Sequence, residues 1–396
     1  MQELEDWLYS RVGLNFRPGL HRMRAMMDYF HHPETACPVI HVTGTNGKGS
    51  TIAFMSQLLE DQGLTVGSFT SPHMERMNER IRINRTPIPD ASMMDLAQEI
   101  KKAETATDYQ LSFFEILTVM ALLYFRQTQP QVVLLEVGIG GLLDTTNVVP
   151  SEFALITSIG LDHQETLGDT IGAIAHQKAG IFKPGSQALV GPLPQKALEV
   201  CRQQAPDVLV YGEDFAIREG FFENARMRFP IPQIGLRGDY QVENAGLALQ
   251  TVLLFMEKHG LSTNQERFSS SLASTQWWGR LEEISPGILL DGAHNLAALE
   301  RLVAYLRREG MDQVTIVFGA LRRKDYQAML SYLKASLPQA RILVVGFDDS
   351  GSLREAVEGF PFEADFRRAL AQEKTPMVVT GSLYFIAQAR AYLAKG

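Results

Sequence analysis

The sequence predicts an α/β protein of two domains: a larger N-terminal domain on a mostly parallel sheet and a smaller C-terminal Rossmann-like α/β domain. Three observations predict it. Short aliphatic and β-branched runs alternate with helical patterns, as strands covered on both faces alternate with crossover helices. A strand, a glycine-rich loop with a single lysine and a helix follow one another between Val39 and Gly63. A second βα series begins near residue 287, beyond the polar-then-aromatic stretch 269–280, which sets the domains at 1–278 and 279–396.

Taken in order, residues 1–36 read as helical, with Leu20, Met23, Met26, Met27 and Phe30 as an apolar stripe. Residues 39–42 and 64–69 read as strands, and the second runs into Thr70, Ser71, Pro72 and His73. A basic patch (Arg76, Arg80, Arg82, Arg85) follows, whose plain reading is a solvated hairpin. Residues 110–126 form a helix with Phe113, Phe114, Leu117, Met120, Ala121 and Tyr124 inward. Strands are expected at 132–137, 153–159, 188–190 and 208–210, and a long amphipathic helix at 242–259. In the second series, strands fall at 287–290, 314–318, 342–345 and 377–380. Helices fall there at 296–308, 326–335, 353–357 and 383–393.

The glycine loop sets the chemistry. Gly44, Gly47 and Gly49 frame Lys48, and Ile52, Met55, Leu58 and Leu59 recur at helical spacing behind it. Glycines let backbone N–H groups turn inward, the helix N-terminus adds partial positive charge, and the lysine reaches terminal phosphates. The first domain is therefore read as a P-loop ATPase domain. Its pattern, Gly-x-x-Gly-Lys-Gly-Ser, departs from the usual spacing, so a metal-side hydroxyl must come from Ser50 or Thr51.

Ligands of open α/β sheets sit beyond the carboxyl ends of the strands, so the residues there matter. Ser71, Glu136 with Gly138–Gly141, and Asp162 with His163 all follow strands of the first domain. A nucleoside triphosphate carries about four negative charges, which Mg²⁺ and one or two carboxylates usually help to manage. Glu136 suits a cation there, with a turn carboxylate as its plain alternative. His163 is the softer partner, and a structural histidine fits it equally well. In the second domain, Asp291 and His294 stand at a strand–helix turn, with Thr380, Gly381 and Ser382 at the matching place later.

Bulk properties exclude several classes. A net charge of −8 over 396 residues argues against a nucleic-acid partner. Two cysteines, Cys37 and Cys201, exclude a disulfide framework and fit a reducing compartment. The acidic N-terminus lacks a signal pattern, and no apolar run approaches the ~20 residues of a membrane span. A cytoplasmic protein without a membrane partner is expected.

These motifs together resemble the folylpolyglutamate synthase and dihydrofolate synthase family of Mur-type ATP-dependent amide ligases. The matching stretches are His41-Val-Thr-Gly-Thr-Asn-Gly-Lys-Gly-Ser50, Thr70-Ser-Pro-His73, Glu79-Arg-Ile-Arg82 and Leu135-Glu-Val-Gly-Ile-Gly-Gly141. Further on come Asp144-Thr-Thr-Asn147, Ile156-Thr-Ser-Ile-Gly-Leu-Asp-His163, Gln177-Lys-Ala-Gly-Ile-Phe-Lys183, Asp291-Gly-Ala-His-Asn295 and Thr380-Gly-Ser-Leu-Tyr384.

The resemblance implies an activity: ATP phosphorylates the γ-carboxyl of folate, or the carboxyl of dihydropteroate, and L-glutamate displaces the phosphate. It implies that Gly44, Thr45, Asn46, Gly47, Lys48, Gly49, Ser50, Thr51, Asn244, Arg280 and Asp291 hold ATP. Ser71, Glu136 and His163 would hold two Mg²⁺ ions, and Arg80, His294 and Ser382 would meet substrates. Lys48, Lys178 and His294 take the catalytic roles. Lys178 resembles the family lysine that is carbamylated, while the residue pattern alone equally describes an ordinary lysine on the helix 170–180. A monomer whose domains close over the stretch 274–280 is expected, shielding the acyl phosphate from water. Leu142, Tyr240 and Trp278 depart from the family's usual arginine, histidine and proline, and Leu142 bears on pterin-side specificity. A sister Mur-type ligase, or from another class a P-loop kinase, is the rival reading.

Overall fold

The computed structural model describes residues 1–14, 17, 19–373 and 376–394. The chain divides into two compact units. Unit 1 comprises Met1–Ser71, Asn78–Ile234 and Val242–Thr275; unit 2 comprises Pro72–Met77, Gly235–Gln241 and Gln276–Gly396.

Unit 1 is built on eight strands: β1 (Val39–Thr43), β2 (Val66–Phe69), β3 (Ile81–Ile83), β4 (Thr86–Pro87), β5 (Val132–Glu136), β6 (Phe153–Ile156), β7 (Gln187–Val190) and β8 (Leu209–Val210). Their order is β4-β3-β2-β5-β1-β6-β7-β8. The run from β2 to β8 is parallel; β3 and β4 fold back antiparallel at one edge. Every residue of β1 and β5 is buried, the signature of central strands covered on both faces. Because β5 pairs with one side of β1 and β6 with the other, the loops after all three strands open at one place. Such a switch point is where open α/β sheets bind ligands.

Helix Phe113–Thr128 starts at Phe113 because Ser112 and Glu115 form a capping box there. Glu115 does more than cap. Its Oε1 accepts the Arg22 Nε–H at 2.8 Å with both side chains buried, tying the helix His21–Tyr29 to the sheet layer. A small antiparallel sheet, β9 (Phe215–Arg218), β10 (Phe221–Asn224) and β11 (Arg228–Pro230), completes unit 1.

Unit 2 holds six strands, β12 (Glu282–Ser285), β13 (Ile288–Leu290), β14 (Thr315–Phe318), β15 (Arg341–Val345), β16 (Phe362–Glu363) and β17 (Met377–Thr380), in the order β12-β13-β17-β14-β15-β16. Only β12 runs antiparallel. Leu299, Leu302, Val303 and Leu306 of the helix Leu296–Arg308 bury one face against this sheet.

Several expectations change. The stretch 1–36 is broken into helices Gln2–Tyr9 and His21–Tyr29; Asn15, Phe16 and Pro18 between them lie outside the described residues. No helix forms at 353–357. Leu353 is buried and donates its N–H to Ala320 O, and Gly351, Gly359 and Pro361 punctuate the segment. The helix instead forms at Phe366–Gln372, capped by Asp365. Residues 269–274, read as part of a linker, end the helix Gln265–Ser274, whose Phe268, Ser271 and Leu272 are buried. Only Arg82 and Arg85 of the basic patch lie on the hairpin β3–β4, and Arg85 pairs with Glu60 at 2.7 Å; Arg76 falls in the segment 72–77 of unit 2, and Arg80 ends the turn before β3. Arg80 is buried with its guanidinium over the Phe113 ring.

Candidate active site

In unit 1 the glycine loop between β1 and the helix Lys48–Asp61 is moulded by the turn after β6. Thr45 N–H donates to Ser158 O at 2.9 Å, Asn46 N–H to Ser158 Oγ at 3.0 Å, and the Thr157 hydroxyl to Asn46 O at 2.6 Å. Thr45 Oγ1 binds Gly160 O and receives Gly160 N–H. Thr157 and Ser158 thus hold the cradle, and the sequence reading assigned them no role; their position directly after a strand was the available signal. Gly47 precedes the helix Lys48–Asp61 with φ +89°, a backbone angle that glycine adopts without cost. A Cβ on Gly47 would stand 2.5 Å from Asn244 Oδ1, so Asn244 lies against the loop. The Thr51 hydroxyl donates to the same Asn244 oxygen at 3.5 Å. Gly49 and Ser50 form the first turn of that helix.

Gly44 is the tightest point. A Cβ there would fall 1.9 Å from Thr157 Oγ1, which backbone neighbours hold in place. Gly44→Ala is expected to cost about 3 kcal/mol or more of stability, the range of overpacked sites, and to abolish binding of an ATP analogue. Urea denaturation with analogue titration checks this; an unchanged midpoint would contradict the close approach.

Lys48 Nζ donates to Gly44 O at 2.9 Å, so the ammonium folds over its own loop. Lys178, on the helix Ile171–Ala179, is buried, and burial pushes its pKa down to about 7. The neighbouring charge of Lys48 lowers it further, while Asp162 and Asp144 oppose the shift. The two predicted catalytic lysines of unit 1 therefore share one electrostatic neighbourhood.

Glu136 ends β5, buried, and its Oε2 accepts the Ser71 N–H at 2.8 Å. His163 stands in the left-handed region at φ +52°. Asp162 Oδ1 accepts its N–H at 2.9 Å and lies 4.0 Å from its Nε2. The Ser71 hydroxyl and the Glu136 carboxylate are oxygen donors that fit Mg²⁺, and one hydrogen bond holds the two residues together. Among the described residues no group of three His, Cys, Asp or Glu side chains is arranged as a metal cage. Mg²⁺ typically takes one or two carboxylates and draws its remaining ligands from phosphate and water, so this partial set fits.

Below this, Asp144 accepts Thr146 N–H, Thr146 O–H and Ile139 N–H, and His41 Nε2 meets Thr146 Oγ1 at 2.8 Å. Burial, with the charge of Lys183, pushes the His41 pKa down to about 3, so this histidine is neutral. Because the Thr146 hydroxyl donates to Asp144, the histidine is the donor to threonine. Lys183 caps Asn147 O and Val149 O at 2.7 Å each, fixing this wall of the site. Leu142, the departure from arginine, is exposed, and a Cβ on Gly180 would stand 2.5 Å from its Cβ.

Unit 2 brings Arg280, Asp291, His294 and Ser382 to the carboxyl ends of β13 and β17. Asp291 is buried and accepts Leu281 N–H and Ala293 N–H at 3.0 Å each. Burial raises its pKa while the Arg280 charge and these bonds oppose the rise. His294 Nδ1 meets Gly292 O at 3.0 Å. Gly381 N–H reaches Ala293 O at 3.1 Å, joining the Asp291–Asn295 turn to the turn at Ser382. Tyr240, the departure from histidine, belongs to the same unit; burial raises its phenol pKa and the Asp291 charge adds to the rise.

A glycine cradle with a lysine at a sheet switch point, beside an acid and a hydroxyl, defines a class of enzymes that spend a nucleoside triphosphate, here on the Mur ligase plan. The Mur ligase middle-domain model matches residues 42–252. A Bacillus subtilis dihydrofolate synthase/folylpolyglutamate synthase is 33% identical, covering 98% of each chain. The apo form of Lactobacillus casei folylpolyglutamate synthase (FPGS) superposes with a TM-score of 0.86 at 32% identity, covering 99% of both chains. An FPGS–AMPPCP–folate complex gives 0.85 at 32% identity and the same coverage. This chain belongs to the folylpolyglutamate synthase/dihydrofolate synthase family of Mur-type ligases.

Proposed function

We propose that this chain joins L-glutamate to the γ-carboxyl of a folate at the expense of ATP, and that dihydropteroate is a second acid substrate. The observation that carries the reading is full-length similarity to relatives with both names, combined with a phosphate loop whose lysine and amides are already assembled.

An amide does not form from a carboxylate and an amine in water unless the acid is activated. The folate carboxylate oxygen attacks the γ-phosphorus of ATP, the β–γ bridging bond breaks, and ADP leaves. The glutamate amine then adds to the acyl phosphate carbon and loses a proton. The tetrahedral adduct collapses: the C=O re-forms, the bond from the carbon to the phosphate-bearing oxygen breaks, and inorganic phosphate leaves. No protein nucleophile is needed, so positioning and charge neutralisation carry the rate.

Lys48 exchanges its Gly44 carbonyl for phosphate oxygens, and the amides from Gly47 to Ser50, beyond the Thr45 and Asn46 N–H groups that Ser158 takes, hold the β- and γ-phosphates. Asn244 and, from unit 2, Arg280 and Asp291 address the rest of the nucleotide. Ser71 and Glu136, with His163, would hold Mg²⁺, which when bound neutralises part of the triphosphate charge. Arg80 faces the acid substrate; His294 and Ser382 receive glutamate.

Lys178 is the candidate for a carbamate. Its depressed pKa of about 7 supplies the neutral amine that CO₂ requires. The protein acts as a cytoplasmic monomer without nucleic acid or membrane. The net charge of −8 supports the expectation of no nucleic-acid partner. Among the described residues no helix is long and apolar enough to cross a membrane.

ADP formation assayed with folate or dihydropteroate, each with and without glutamate, tests the reading. Turnover is expected only with both acid and amine present. Brisk ADP release without glutamate, or a stable phosphorylated product, would overturn it in favour of an ATPase or a kinase.

A further inference from the structure

Residues 72–77 interrupt unit 1. Ser71 and Asn78 on either side belong to unit 1, yet Pro72–Met77 packs as part of unit 2. One side chain of the C-terminal helix Leu383–Leu393 fastens it there. Arg390 Nη1 donates to Glu75 Oε1 at 2.6 Å, and Nε donates to Glu282 Oε1 at 2.9 Å. The same guanidinium lies over the Trp278 ring, 4.0 Å from its centroid. The second oxygen of Glu282 accepts Gly279 N–H at 2.8 Å, which extends the clamp to the chain just before Arg280. Met74 packs on the apolar core of unit 2, its Cε 3.0 Å from where a Gly279 Cβ would stand.

We propose that Arg390 is a positioning residue: by holding Glu75, Glu282 and Trp278 together it fixes the 72–77 segment, and through four residues of chain it sets where Ser71 presents its hydroxyl. The inference rests on the reading of Ser71 as a metal ligand. A planar guanidinium suits this task, since it can bond two carboxylates and stack on an indole at once, which a lysine ammonium cannot. The clamp is also economical in sequence. Residues 75, 278, 282 and 390 are scattered along the chain, and no local pattern joins them.

Mn²⁺ occupies Mg²⁺-type oxygen sites and is read by electron paramagnetic resonance, so its affinity can be measured on the full chain with AMPPCP present. Arg390→Ala is expected to weaken Mn²⁺ binding about tenfold, the usual effect of losing a supporting partner of a metal ligand. Glu75→Ala removes the same contact from the exposed side and is expected to act in the same direction, without adding to Arg390→Ala. Arg390→Lys is expected to recover only part of the loss. A purely structural role would lower Tm and leave Mn²⁺ affinity alone.

Ser71→Ala separates the two claims. If Ser71→Ala weakens Mn²⁺ binding while folded Arg390→Ala and Glu75→Ala do not, the positioning role is overturned and the metal-ligand reading stands. If Ser71→Ala changes nothing, that reading falls and the route through Arg390 falls with it.

Discussion

Lys48→Ala is expected to lower ATP-dependent ADP formation by about two to three orders of magnitude, the effect of deleting one charge-stabilising donor from a pre-organised site. The fold should be untouched. Lys48 Nζ donates to the Gly44 carbonyl at 2.9 Å, and the cradle itself is held by Thr157 and Ser158. Tm within about 2 °C of the parent protein is therefore expected, since no core contact is removed. Lys48→Arg is expected to rescue poorly, because a planar fork cannot replace a compact ammonium among inward-turned amides. A coupled ADP assay and a thermal scan measure both. Turnover within tenfold of the parent would remove Lys48 from the phosphate site. A further consequence links this residue to Lys178: deleting the Lys48 charge should let the pKa of Lys178 rise, because that charge is one of its depressing causes.

Much of this was legible in the residues. The strand–glycine loop–helix unit around Lys48, Glu136 at a strand end and the second βα series are local patterns in which a few consecutive residues state their own geometry. What stayed hidden is non-local. Thr157 and Ser158 matter because β6 happens to lie beside β1, a pairing no periodicity encodes. Leu353 looked helical by its spacing but is drawn into a tertiary bond with Ala320 O, and tertiary context overrides propensity. The segment 72–77 joins unit 2, where Glu75 meets Arg390, more than three hundred residues away along the chain. Carbamylation of Lys178 is beyond any residue pattern, since lysine reads as lysine; only its burial and charged neighbours make the idea physical.

Replacing Lys178 is expected to separate stability from activity. Its pKa in the fold, about 7, lies below its ordinary value of 10.5 because burial disfavours the ammonium. Between these values the unfolded chain binds more protons, so stability rises with pH across that window. Below about 7 the full cost of the buried charge is present; above about 10.5 it is gone. Lys178→Met keeps the volume and removes the charge, so in CO₂-free buffer, where the parent lysine is unmodified, its Tm should exceed that of the parent protein by a few degrees at neutral pH, with the gap closing in alkali. Its ADP formation with folate and glutamate should fall by about two orders of magnitude or more if the lysine carries a carbamate beside Lys48. Carbamate chemistry has its own signature: the amine nitrogen attacks CO₂, loses a proton and becomes an anion, so activity should drop in CO₂-free buffer and return with bicarbonate. Carbon-13 bicarbonate should label the parent protein and not Lys178→Met. Lys178→Arg cannot form the adduct, and full activity in that variant, insensitive to CO₂, would end the carbamate reading while leaving the stability effect to be explained by burial alone.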